Sequence, residues 1–120
     1  MVMRVEQTFF APGTLDEVPG NCVQATVASI LEMSLDLVPH FILFDSVWGR
    51  ALQMWLDEKG YDLYEVGPDA PGPLMAYGDS PRGDFQHSVV WQDGKLLVDP
   101  HPDQTGLVGE PHEYWKIEKL

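Results

Sequence analysis

Gly60 divides the chain into two textures, and that division constrains the fold more than any other feature. Before it, apolar residues recur at helical spacing; after it, short alternating runs are separated by turn residues. Val23, Val27, Ile30 and Leu31 fall at i, i+4, i+7 and i+8. They predict a first helix from about Cys22 to Met33, with Asn21 as its N-cap. Trp48, Leu52, Trp55 and Leu56 repeat the pattern and predict a second helix over roughly Ser46 to Lys59, stopped at Gly60. Ser34 to Pro39 reads as a short helical turn ended by proline. Helices first and strands afterwards is an α+β plan: a single domain over residues 1–120, with N-terminal helices packed on a small antiparallel sheet.

The predicted strands are Tyr61 to Val66, Leu74 to Tyr77, Phe85 to Gln92, Lys95 to Val98 and Tyr114 to Ile117. Residues 1–20 read as an extended lead-in broken at Pro12-Gly13 and Pro19-Gly20, with Val5 to Phe10 as a further edge strand. Asp93-Gly94 is the strongest short turn signal in the chain and makes residues 85–98 a hairpin. Folding back about that turn pairs Trp91 or Gln92 with Lys95. His87 then lies opposite roughly Val98 or Asp99, and cross-strand neighbours are ~4.5–5.5 Å apart.

Cys22 is the only cysteine, so the chain forms no internal disulfide, which fits a reducing, cytoplasmic setting. It stands where a turn enters the first helix. Unpaired N–H groups and the helix dipole favour an anion there. A thiol attacks as its thiolate, and a free cysteine has a pKa near ~8.5, which an adjacent imidazolium lowers. Cys22, His87 and Asp99 are therefore candidates for nucleophile, acid/base and ring orienter. The backbone N–H of Cys22 supplies one oxyanion donor, and Gln7 is the first choice for a second, with Asn21 and Gln24 as rivals. Arg82, just before His87 in a turn-rich loop, either binds a substrate carboxylate or ties the loop to an acidic group.

Net charge is −12, and the seven basic residues form no run, which argues against nucleic acid and anionic lipid as partners. No apolar window reaches ~18 residues, so no membrane span is expected. His40, His101 and His112 have no compact ligand spacing, so neither a metal nor another cofactor is expected.

Three pieces together resemble the papain-like cysteine peptidase superfamily. They are Asn21-Cys22 leading the first helix, His87-Ser88-Val89-Val90 on a strand, and Val98-Asp99-Pro100 closing a hairpin. The nearest likeness is to small bacterial members such as the leader peptidases of bacteriocin exporters. Gly20 to Ala25 with Ser80 to Gly83 also looks like small proteins common in bacteria and their phages. The resemblance implies a papain-like fold and thiol acyl chemistry: peptidase, amidase or acyl transferase action on a protein or peptide. The chain is short, so a cleft that is shallow or completed by a partner protein is expected. The contrasting expectation is a binding module of that fold without turnover, engaging a host or partner protein. A redox-sensing thiol would need a resolving cysteine that the chain does not supply.

Overall fold

The computed structural model describes residues 2–10 and 20–120. Both periodic stretches form helices, α1 (Cys22–Leu31) and α2 (Trp48–Lys59). Five strands follow: β1 (Tyr61–Val66), β2 (Leu74–Asp79), β3 (Gln86–Gln92), β4 (Lys95–Val98) and β5 (Glu113–Lys119). They make one antiparallel sheet in the order β1-β5-β2-β3-β4. The architecture is thus an α+β domain with the helices on the sheet.

α1 ends two residues before the predicted Met33. Glu32 adopts a left-handed φ of 56°, and the Met33 N–H turns back to Ala28 O at 2.9 Å. α2 starts two residues after the predicted Ser46. Residues Phe41–Val47 form a 3-10 segment broken at Asp45, whose φ of 52° redirects the chain just before the helix. The predicted edge strand over Val5 to Phe10 is not formed. Its backbone is spent elsewhere: Met3 N–H donates to Ser29 O (3.2 Å), Val5 N–H to Ser29 Oγ (3.0 Å), and Gln7 N–H to Pro100 O (3.0 Å). The lead-in therefore crosses α1 and reaches the loop after β4. The predicted breaks at Pro12-Gly13 and Pro19 lie outside the described residues.

Alternation across the strands gives the sheet two buried faces. On one, Leu63, Met75 and Ile117 pack with Val23, Val27 and Ala28 of α1, Leu52 and Leu56 of α2, and Phe41. On the other, Leu74, Ala76, Val89 and Tyr114 form a smaller core, packed with Ala70 and Leu107 from connecting loops. β3 is an inner strand, between β2 and β4, and His87 to Val90 are all buried. The β3–β4 turn has the predicted form. Asp93 and Gly94 take φ values of 55° and 78°, the positive pair that a tight right-twisted hairpin requires.

Candidate active site

Hairpin register decides which residue His87 meets. Gln92 pairs with Lys95 and Trp91 with Leu96, but Val90 pairs with Val98. Leu97 is the extra residue of a bulge on β4. Uninterrupted pairing from Gln92 and Lys95 would set Asp99 level with Ser88, on the face away from the His87 side chain. The bulge sets Asp99 level with Val89, which shares its face with His87. The predicted direct opposition of His87 with Val98 or Asp99 is corrected accordingly: the two residues are diagonal neighbours, and the bulge puts them on the same side.

The contact that follows is short. The imidazole Nε2–H of His87 donates to Asp99 Oδ1 at 2.7 Å, and each residue is 2% exposed. The Asp99 carboxylate also accepts from the His101 N–H at Oδ1 (2.9 Å) and the Gly106 N–H at Oδ2 (2.7 Å). Gly106 takes a φ of 75°, and a Cβ there would lie 3.2 Å from Leu96 Cδ2. Glycine therefore lets the 99–106 loop close around the carboxylate. Burial opposes the charged form of Asp99. The bonds from His87, His101 and Gly106 outweigh it and hold the group below the usual carboxylate range.

Cys22 is the second group that acts on the His87 ring. Burial disfavours the imidazolium of His87. Hydrogen bonds to Asp99 and then to Cys22, with the charges of both, prevail and push the ring up to about 9. Cys22 opens α1 and is 8% exposed. The first-turn N–H groups of the helix, its own included, have no intrahelical acceptor. The thiol and His87 line a cleft of about 190 Å³, with Gln7, Phe10, Arg82, Phe85 and His101 around them.

The other sequence candidates separate. Gln7 is buried at the cleft, placed there by its backbone bond to Pro100 and by Arg4, whose Nη2 donates to Asp99 O and His101 O (3.3 Å each). One Nε2–H of Gln7 goes to Phe9 O (2.8 Å); the second N–H and the buried Oε1 have no partner among the described residues. Asn21 is not at the cleft, and its oxyanion role is corrected. Its Oδ1 accepts from the Thr8 and Phe9 N–H groups (2.9 and 2.8 Å), and its Nδ2 donates to Thr8 Oγ1 and Gln24 Oε1 (3.0 and 3.1 Å). Nor does its side chain cap α1; it clamps the lead-in. Gln24 is turned toward Leu35 O and Val38 O. Arg82 ties its loop to an acidic group, the second of the two roles expected of it. It lines the cleft, and its Nη1 donates to Asp103 Oδ1 (3.0 Å) and Thr105 Oγ1 (2.7 Å).

His101, which the sequence offers only as a metal ligand, lines the cleft. Its ring meets His87 edge-to-face at 6.4 Å and Phe10 at 4.9 Å. Burial, then the Arg82 guanidinium, holds it below the usual imidazole range, so the two neighbouring rings titrate apart. The available signal was its position two residues beyond Asp99, on the loop that closes over the carboxylate. No group of three His, Cys, Asp or Glu side chains among the described residues is placed to hold a metal ion. No single helix among them is long and apolar enough to cross a membrane. Comparison of the chain with family models, with curated proteins and with solved structures gives no match.

Proposed function

We propose that the protein is a cysteine-nucleophile hydrolase or acyl transferase of papain-like fold, acting on a peptide or protein carbonyl. The observation that carries the reading is one imidazole bonded to a buried carboxylate at 2.7 Å and lining a cleft together with a thiol at a helix N-terminus. In this reading Cys22 attacks the carbonyl carbon as thiolate. The oxyanion is met by the Cys22 N–H and the second Gln7 N–H. His87 gives its proton to the leaving amine while Asp99 fixes the ring. The resulting thioester is released by water or by an amine, whose proton returns to His87.

Iodoacetamide tests the nucleophile. At pH 6 Cys22 should be labelled faster than free cysteine, and His87→Ala should remove the advantage. Equal rates for wild type and free cysteine would refute the reading.

One observation favours the second reading, a binding module without turnover. Leu43, Phe44, Val47 and Met54 are each more than half exposed, an apolar strip of the kind that marks protein contacts. A complex unaffected by Cys22→Ser, in a protein whose thiol labels at the ordinary rate, would establish it.

A further inference from the structure

A second cavity, of about 360 Å³, lies between α2 and the sheet. Its floor is apolar: Leu52, Leu63 and Met75 are buried beneath it. Its walls are the rings of Trp48, Tyr77 and Trp115, with Trp48 and Tyr77 at 6.0 Å and inclined by 39°. Aromatic rings prefer such tilted contacts with another ring. The volume falls at the low end of the ~300–1,000 Å³ found for small-ligand pockets, which suits one ring rather than an extended molecule.

The rim carries both signs of charge. Arg50 and Glu113 line it and form no ion pair with each other; Glu113 accepts from Trp115 Nε1 at 3.0 Å. A free acid or a free amine would meet one favourable and one unfavourable charge there. A neutral peptide group, with a carbonyl for the guanidinium and an N–H for the carboxylate, satisfies both.

Gly49 supplies an independent observation. It sits in the first turn of α2, where glycine weakens a helix. A Cβ at that position would have no neighbour within 4 Å. Packing therefore does not call for glycine. Any longer side chain would narrow the mouth of the cavity, which Gly49 lines.

The cavity also adjoins the thiol. Tyr77 faces Glu113 on β5 and Ser88 on β3, and the next residue, Gly78, faces His87. Tyr77 and His87 therefore point to opposite faces of the sheet, and the cavity meets the thiol on the α1 face, where Tyr77 packs against the apolar cluster that contains Cys22. Burial, then the neighbouring Cys22 and Glu113, pushes its phenol up to about 12.

We infer that this cavity receives an aromatic side chain of the peptide whose carbonyl meets Cys22; the inference rests on the peptide-directed reading above. N-acetyl-phenylalanine amide and N-acetyl-alanine amide, titrated against the tryptophan fluorescence of the Cys22→Ser protein, test the pocket without any covalent step. The phenylalanine amide should saturate and bind at least tenfold more tightly than the alanine amide. Gly49→Leu in the same background should cost at least tenfold in that affinity while the urea midpoint is unchanged or higher. Equal binding of the two amides, or full binding by Gly49→Leu, overturns the inference. In the wild type, a phenylalanine chloromethyl ketone should inactivate Cys22 at least tenfold faster than its alanine counterpart. Equal rates place the pocket outside the thiol's site and overturn that part. Selective amide binding in a protein whose Cys22 reacts with iodoacetamide at the ordinary rate supports the pocket and sinks the catalytic reading instead.

Discussion

Raising the pH from 6 to 9.5 should remove most of what the His87–Asp99 pair contributes to folding. In the unfolded chain the imidazole titrates at its ordinary 6.5, and in the folded protein at about 9. At about 1.36 kcal/mol per pH unit, that difference corresponds to roughly 3 kcal/mol. The folded value is the higher one, so the contribution is complete below 6.5, declines between 6.5 and about 9, and is gone above. Asp99 acts on the acid side. Its folded value is depressed, so its share is present above the ordinary 3.8 and is lost as pH falls through the lowered value. Both describe one interaction, and the roughly 3 kcal/mol is counted once. Urea unfolding followed by circular dichroism at pH 6 and 9.5 measures the effect. Every group other than His87 is common to wild type and His87→Gln, so the comparison isolates the ring, and wild type should lose roughly 3 kcal/mol more than the variant. Cys22→Ser should reduce the pH dependence without abolishing it, because Asp99 and the thiol both hold the ring charged. Parallel loss of stability in wild type and His87→Gln would refute the reasoning.

Gln7→Ala separates chemistry at a carbonyl from simple thiol reactivity. It should leave the iodoacetamide rate of Cys22 within about twofold, since alkylation builds no oxyanion, and slow acylation by an activated ester about 10²-fold, the usual cost of one oxyanion donor. Asn21→Ala leaves the Thr8 and Phe9 N–H groups without their acceptor. Both donors are on exposed residues and can turn to water, so a loss of about 1 kcal/mol in urea unfolding is expected, the ordinary net worth of a hydrogen bond, together with slower acylation as Gln7 loses its position.

The sequence carried the hairpin, because Asp93-Gly94 has one favoured geometry, and it carried both helices, because their apolar residues keep a single period. It also carried the chain order of thiol, imidazole and carboxylate. What it did not carry was set by tertiary bonds. Leu96-Leu97 breaks alternation without announcing a bulge, and both side chains end up exposed. Phe41 to Phe44 is an unbroken apolar run with no period to read, and it became a 3-10 turn. Asn21 is an excellent capping residue by type, yet the lead-in offers it two backbone donors and takes its side chain away from α1. The second cavity was illegible for a similar reason. Trp48 and Trp115 are far apart in sequence, and Gly49 reads as a helix weakness until its surroundings are known.

Leu97 leaves a rule for anyone redesigning this hairpin. Adding or deleting one residue on a single arm turns Asp99 away from His87, however well the remaining strand pairs. Matched lengthening, one residue on each side of Asp93-Gly94, keeps their relative level, so a longer graft at the tip is compatible with an intact pair only when its two arms grow together.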